Sequence, residues 1–426
     1  MNDSSEGYHL PFSRPPILLI GSGITKRYSD GAQDWMGLLD AIGKRVGIDR
    51  DVMMPLIRKS KKTHDESLSY LPKLASLMSD HLDEMLRTKE ISIENILNTE
   101  DLDLYYEGNI DPIKILAAYE CRGITIKDDE VVKEEINCLR SLSDNIPCII
   151  TTNYDTMLED IVFEGRFKPY SRISEYYLSG SQGIGEIYKI HGTCSDPSTM
   201  ILNEEDYLSF SKNAKIISAK ILSILCDYPM LVMGYSMEDS DIRCIMNDLI
   251  SSLDDDKLSE LERNILYVAY DEGNMGFTES KMSFEFEGRR MIIPAIKTDN
   301  FSVIFKELSS MEPSVSPQLV RRLRQIIRNL CISEGTYGNR LKIVGIDDVD
   351  DDADKYVITI TDHAGSKVID MVQAFMPDGL LKDVLSDRSV ISPDSFVALF
   401  YKHGGRMYQK NRHSCVPLYE EGSDTS

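Results

Sequence analysis

The chain has 426 residues, of which 42% are apolar and 27% are charged, and its formal net charge at pH 7 is −23. This composition is typical of a soluble globular protein of two or three domains, and its acidity argues against a duplex-binding surface, which needs clustered Lys and Arg. No apolar run approaches the ~18 residues of a transmembrane helix, and the polar first 14 residues lack the apolar core of a signal peptide. We therefore expect a cytoplasmic protein without a membrane partner, and the acidity disfavours nucleic acid as a partner of this chain alone.

The eight cysteines are scattered along the chain, and no pair has the C-x-x-C spacing of a zinc or redox site. Several lie inside apolar runs, where a reduced cysteine acts as a small core residue. This pattern indicates neither a disulfide framework nor a bound metal.

The first predicted strand follows a polar leader at residues 1–14. The strand, Ile17–Ile20, ends in the turn Gly21-Ser22-Gly23, with Thr25 two residues further on. Glycines let a backbone approach a ligand and expose N–H donors, so this turn is a candidate phosphate cradle. An ordinary turn between a strand and a helix explains it equally well, since the full G-x-G-x-x-G fingerprint of dinucleotide-binding folds is absent.

Residues from about 49 to 142 have a different pattern, in which apolar side chains recur at helical spacing. Leu74, Leu77 and Met78 form one such series, and Leu82 and Met85 continue it. We interpret this region as a helical module inserted between the first strand and the next.

Three later strands each end in small or polar residues. The run that begins at Cys148 stops at Thr151-Thr152-Asn153-Tyr154-Asp155, the strand from Glu186 ends at His191-Gly192, and the strand from Met230 ends at Gly234-Tyr235-Ser236. Ligands bind beyond the carboxyl ends of the strands in open α/β sheets. A single histidine after a strand is more often structural, but its combination with Asn153 and Asp155 favours a shared site.

Two further apolar runs, at residues 265–269 and 291–295, complete the strand pattern. Strands that alternate with helices predict an α/β fold with a doubly wound, Rossmann-like parallel sheet over residues 15–311.

Residues 312–426 are predicted to form a small C-terminal α+β module with a polar tail, preceded by a Pro- and Ser-containing linker. An amphipathic helix near residues 319–330 carries four arginines, which are either solvated or the lining of a groove for an acidic partner, including nucleic acid. The acidic run at residues 347–354 lacks the glycine and glutamate of a calcium-binding loop, so we interpret it as a solvated loop.

The four strand-end motifs resemble, in order and setting, the NAD-binding motifs of sirtuins, and more narrowly the sirtuin-like domains of bacterial antiphage systems such as Thoeris. The resemblance covers about residues 15–300. It implies that NAD⁺ is the substrate and that Asn153 and His191 are catalytic, Asn153 on the ribose or the attacking water and His191 as a general base. It implies a cofactor-binding role for the remaining motif residues, which are Gly21, Ser22, Gly23, Thr25, Thr152, Asp155, Gly234, Tyr235 and Ser236.

Two departures from deacylating sirtuins separate this chain from protein deacylation. Deacylases carry two C-x-x-C zinc pairs between the last two motifs, whereas this interval holds only Cys194 and Cys226. The first motif continues as Lys26-Arg27-Tyr28 instead of the deacylase sequence. The resemblance therefore implies an NAD⁺ glycohydrolase, without a metal, that depletes NAD⁺ in defence. The alternatives are a deacylase without a zinc ribbon and a non-catalytic nucleotide-binding subunit.

A defence enzyme of this kind must be inactive until it is triggered, because constitutive NAD⁺ loss would kill the cell. We expect a homo-oligomer in which the C-terminal module responds to a phage-derived trigger or docks a partner. By the same resemblance, a HerA-type ATPase is a candidate partner.

Overall fold

The computed structural model describes residues 9–65, 69–178, 183–236 and 240–311, together with Pro317, Val320, Arg321 and two short strands near residue 365. Its internal contacts divide the chain into two units, Met1–Arg321 and Arg322–Ser426. Most of the predicted C-terminal module, including its arginine-rich helix, acidic loop and polar tail, lies outside the described residues.

An eight-stranded sheet forms the centre of the first unit. Its strands are β1 (Ile17–Ile20), β4 (Cys148–Thr151), β5 (Lys168–Tyr170), β6 (Glu186–Lys189), β7 (Met230–Met233), β8 (Ile265–Tyr270), β9 (Thr278–Phe286) and β10 (Arg289–Thr298). They are ordered β5-β6-β4-β1-β7-β8-β10-β9, and every pair is parallel except β9 with β10. The predicted α/β class with a mainly parallel, Rossmann-like sheet is confirmed.

The structure describes two further, small antiparallel ladders. In the first unit β2 (Ser29–Asp30) pairs with β3 (Thr125–Ile126). In the second unit β11 (Ile360–Thr361) pairs with β12 (Val368–Ile369).

Helices cover both faces of the sheet and form the inserted module, and none of those in the described parts of the chain is long and apolar enough to cross a membrane. They are α1 (Ser22–Tyr28), α2 (Trp35–Val46), α3 (Arg50–Thr63), α4 (Tyr70–Arg87), α5 (Thr99–Glu107), α6 (Pro112–Arg122), α7 (Glu130–Ser141), α8 (Ile173–Leu178), α9 (Glu204–Leu225), α10 (Ser240–Ser252), α11 (Asp255–Arg263) and α12 (Phe301–Ser310). Single turns of 3₁₀-helix lie at Ile93–Asn95, Leu142–Asp144 and Pro197–Thr199, and a π-helix spans Met157–Val162.

The central strands β1 and β7 are apolar throughout because both faces of the sheet are covered. Ile17 and Leu19 face a core built with α9, α10 and α11, whereas Leu18 and Ile20 face a core built with α1, α7 and α12. All four side chains are fully buried. Because both faces of the sheet are packed, the carboxyl ends of the strands are held together at one edge of the sheet.

The inserted helices form a third hydrophobic core, to which Cys194, Met200 and Leu202 also contribute. Leu39 of α2, Leu74 of α4 and Leu116 of α6 are fully buried in it. This core extends over α2 to α6, while α7 packs on the sheet with α12. The separate helical cluster therefore begins at Trp35 and ends at Arg122, compared with the predicted limits of about 49 and 142.

Candidate active site at the carboxyl edge of the sheet

Asn153 and His191 leave adjacent strands at equivalent positions. Thr151, the last residue of β4, pairs in parallel register with Lys189, the last residue of β6, and the Ile190 N–H donates to the Thr151 carbonyl over 2.9 Å. Asn153 and His191 each follow that pair by two residues. Because neighbouring strands lie about 4.8 Å apart, the two segments emerge side by side. Both side chains are buried, with 5% of Asn153 and 4% of His191 exposed.

The glycine turn after β1 packs directly on the turn after β7. The Gly21 N–H donates to the Met233 carbonyl over 3.0 Å, and the Gly23 N–H donates to the Gly234 carbonyl over 2.8 Å. A Cβ atom on Gly21 would lie 2.7 Å from the Gly234 carbonyl oxygen. These glycines are therefore required by the contact between two backbone segments. Two of the N–H groups that the sequence offered to a pyrophosphate are donated within the protein.

A hydrogen-bond network fixes the side-chain amide of Asn153. Its Nδ2 donates to the Gly21 carbonyl over 3.2 Å and to Thr25 Oγ1 over 3.0 Å. Thr25 in turn donates to Asp155 Oδ2 over 3.0 Å, and Asp155 Oδ1 accepts from the Met157 N–H. Both amide hydrogens of Asn153 are thus used, and its Oδ1 is buried without a hydrogen-bond partner within the described residues. This oxygen is available to accept a hydrogen bond from a bound ligand.

The same network gives Asp155 its contacts. The family resemblance implied that this carboxylate holds the nicotinamide side of the substrate or organises the site. In the structure, both of its oxygens are engaged by Thr25 and Met157. Its observed role is to orient the Thr25 hydroxyl, and through it the Asn153 amide.

Thr152 and Tyr235 connect the turns after β4 and β7. Their hydroxyl oxygens lie 3.3 Å apart, and the Tyr235 hydroxyl donates to the Ile20 carbonyl over 3.2 Å. Of the other predicted residues in the turns, Ser22 is half-buried and Ser236 is exposed. The structure therefore joins the motifs after β1, β4 and β7 through direct contacts.

The His191 ring lies in an aromatic cluster that was not among the predicted site residues. It packs edge-on against Tyr207, with ring centroids 5.6 Å apart, and against Phe210 at 5.3 Å. Trp35 stacks on Tyr207 at 5.3 Å. Tyr207 and Phe210 are three residues apart on α9, so helical spacing places them on one face. That spacing was the available signal, but nothing in the sequence linked α9 to His191.

Comparison with known proteins agrees with this arrangement. Residues 147–285 match the family model of the SIR2-like domain. The match includes the motifs at Asn153, His191 and Gly234, and the fold places the glycine turn at Gly21, which lies outside the match, against the Gly234 turn.

The chain is also similar to two curated proteins. The chain is 24% identical over 158 residues to the NAD(+) hydrolase ThsA of Cytobacillus dafuensis, which is 35% of this chain and 32% of that protein. It is 28% identical over 103 residues to the defense-associated sirtuin 2 of Bacillus subtilis, covering 23% of this chain and 10% of that protein. The chain thus spans a third or less of the relatives it matches. The predicted resemblance to the sirtuin-like domains of defence proteins is confirmed.

In the part of the chain that the structure describes, no three His, Cys, Asp or Glu side chains come together in a way that could hold a metal ion. Of the two cysteines between the last two motifs, Cys194 is buried and Cys226 is exposed. Burial raises the pKa of the Cys194 thiol to about 11. This thiol is therefore protonated at neutral pH, which suits a core residue better than a nucleophile.

A buried ion pair lies under the loop that carries Asn153. Lys189 Nζ is 2.7 Å from Glu159 Oε1, and the side chains are 1% and 6% exposed. The same ammonium donates to the Asp155 carbonyl. Burial raises the pKa of Glu159, and the neighbouring Lys189 opposes this shift. Neither residue was among those predicted for the site, although Lys189 comes only two residues before His191.

Proposed function

We propose that the chain is an NAD⁺ glycohydrolase that cleaves the nicotinamide–ribose bond to give nicotinamide and ADP-ribose. The observation that carries this proposal is the buried, unpartnered Oδ1 of Asn153, whose amide is held in one orientation next to the strand end that bears His191. The presence of a SIR2-like domain, and its similarity to a protein named as an NAD(+) hydrolase, support the same reaction.

The chemistry suits these side chains. Cleavage of a glycosidic bond passes through an oxocarbenium-like centre, and nicotinamide leaves as a neutral base. Catalysis then depends on positioning and on electrostatic stabilisation more than on a strong acid. Asn153 Oδ1 accepts a hydrogen bond from a ribose hydroxyl or from the attacking water. His191 acts as the general base that removes the proton released when water adds to the ribose carbon.

The biological setting we propose is antiphage defence. The similarity to a defense-associated sirtuin supports this setting. NAD⁺ loss is then triggered by infection, and the chain acts as a homo-oligomer whose second unit senses the trigger or binds a partner protein, for which a HerA-type ATPase is the first candidate.

A direct test is to incubate the purified chain with NAD⁺ and to quantify nicotinamide and ADP-ribose, with and without an acetylated peptide. We expect release that does not depend on the peptide. Release only with peptide would favour a deacylase, and saturable NAD⁺ binding without release would favour a non-catalytic subunit. The same measurement in infected cells that express the chain covers an enzyme that needs a trigger, since cellular NAD⁺ should then fall after infection.

Substitution of the two central residues makes the test specific. Asn153→Ala and His191→Ala should each lower turnover by a factor of about 10² to 10⁴, the range for loss of a positioned catalytic group. Asn95→Ala and His81→Ala are matched controls, because Asn95 is exposed and His81 half-buried on the helical module. Circular dichroism checks that all four variants fold. Full activity in both Asn153→Ala and His191→Ala would refute the assignment of the site.

A further inference from the structure

The buried ion pair between Lys189 and Glu159 has no role in the chemistry described so far. Lys189 ends β6, and its side chain is 1% exposed. Its ammonium donates to Glu159 Oε1 over 2.7 Å and to the backbone carbonyl of Asp155. Glu159 lies on the π-helix Met157–Val162, and π-helical turns occur frequently at functional sites.

Stability alone is a poor explanation for this pair. Desolvation of two charges offsets most of their attraction, and well-packed apolar residues of similar volume often stabilise a protein as well or better. Glu159 Oε2 is, in addition, buried without a hydrogen-bond partner in the described structure. A methionine at position 189 has nearly the length of lysine, so it would fill similar space. Only the ammonium, however, can donate to the Asp155 carbonyl.

That bond connects the two catalytic segments. Lys189 lies two residues before His191, and Asp155 lies two residues after Asn153. At its other end, the segment from Thr151 is already joined to β6 by the backbone hydrogen bond from Ile190. The loop from Thr151 to Asp155 is therefore tied to β6 at both ends. Asp155 also orients Thr25, which accepts from the Asn153 amide.

We propose that Lys189 is a positioning residue, which sets the Asn153 amide and the His191 ring at their working separation by holding the Asp155 carbonyl. This inference rests on the proposed glycohydrolase function. The pair is electrically neutral as a whole when both groups are ionised, so it adds no net charge to the site. Glu159 balances the buried ammonium and allows it to remain charged in the core.

The double variant Lys189→Met/Glu159→Met separates positioning from stability. It removes both charges and keeps the volume, so we expect it to fold with a midpoint of urea unfolding equal to or above that of the wild type. We expect kcat for NAD⁺ hydrolysis to fall by about tenfold to a hundredfold, the cost of a small misplacement of reacting groups, with KM for NAD⁺ little changed. A merely structural pair would leave kcat per folded molecule unaltered.

A companion variant sharpens the result. Lys73→Met/Glu204→Met removes a half-buried pair of 2.6 Å between α4 and α9, and it should not affect kcat. This second pair controls for the loss of any buried ion pair.

Each outcome of these measurements supports or overturns the positioning role of Lys189 or the proposed function. Wild-type kcat in the folded double variant, or a rise in KM at constant kcat, would overturn the role of Lys189. Failure of the double variant to fold would also overturn it, because the pair would then be a requirement of the fold. Absence of turnover by the wild type would instead overturn the proposed function itself.

Discussion

Replacement of Gly234 by alanine tests whether the two glycine turns of the site support each other through backbone contact. Gly234 has φ +79°, and a Cβ atom there would lie 2.6 Å from the Gly21 carbonyl oxygen and 2.8 Å from Ile24 Cγ1. The first contact is with backbone, which cannot rotate away as a flexible side chain can. Either the turn after β1 or the turn after β7 must therefore move.

Two costs add at this position. A left-handed backbone conformation disfavours a side chain by about 1–2 kcal/mol. Insertion of a methyl group into a closely packed region costs a further 1–3 kcal/mol, roughly. We therefore expect Gly234→Ala to lower the free energy of unfolding by about 2–5 kcal/mol. Gly108 is a matched control, because its φ is +70° and a Cβ atom there would meet no atom of the described residues within 4 Å; Gly108→Ala should cost only the first of the two amounts.

Urea unfolding followed by tryptophan fluorescence measures both variants. Trp35 is the only tryptophan of the chain and stacks on Tyr207 in the first unit, so its signal reports the unit that contains both glycines. A difference between Gly234→Ala and Gly108→Ala below about 0.5 kcal/mol, which is the size of ordinary surface effects, would refute the packing explanation.

Two further predictions concern pH. Asp34 caps α2 by accepting a hydrogen bond from the Gly37 N–H. Lys26 and that N–H hold the pKa of the Asp34 carboxyl below its usual value of 3.8. The ionised carboxylate therefore stabilises the fold at neutral pH, and this contribution is lost as pH falls through the lowered pKa. Asp34→Ala should cost about 1 kcal/mol at pH 7 and progressively less as pH falls below 3.8, whereas Asp34→Asn, which can still cap, should retain most of the stability. Because the pKa of Glu159 is raised above 4.5, the folded state binds its proton more tightly, and the contribution of Glu159 to stability should fall as pH rises above 4.5. Urea unfolding between about pH 4.5 and pH 7 should show this trend in the wild type relative to Glu159→Gln, and parallel curves would contradict it.

The central strands could be predicted because parallel strands buried on both faces are short, continuous apolar runs. Two strands of the sheet did not give that signal. β5 has only three residues and contains Pro169, so neither length nor periodicity marks it. β9 alternates instead, with Met282 and Phe284 buried between exposed polar residues, as expected for an antiparallel edge strand. A search for continuous apolar runs passes over such an element.

The residues of the site could be proposed from the sequence because fold topology alone brings the strand ends together. The contacts that these residues make could not be predicted from the sequence. A lysine between a tyrosine and an isoleucine suggests an exposed side chain, since isolated lysines are almost never fully buried. The burial of Lys189 depends on Glu159 arriving from a π-helical turn thirty residues earlier in the chain. No local sequence pattern predicts the contact between Lys189 and Glu159.

The glycine turn illustrates a second limit of prediction from the sequence. A glycine-rich turn after a strand fits a ligand or a neighbouring backbone equally well, and the sequence does not identify which one approaches. Gly21 is in contact with Gly234, which comes more than two hundred residues later. This contact also determines what the turn offers to the site, since the Gly21 carbonyl accepts one hydrogen of the Asn153 amide.

Asn153 has two chemically opposite ends, a donor and an acceptor, and the fold determines which end is left for a ligand. Gly21 and Thr25 consume the donor end, and Asp155 prevents Thr25 from donating to the amide oxygen because it accepts the Thr25 hydroxyl itself. The free group is therefore an acceptor, which selects ligands that present a hydroxyl, a water molecule or an N–H. A ribose hydroxyl and an attacking water both meet this requirement, whereas the charged phosphates of NAD⁺ do not.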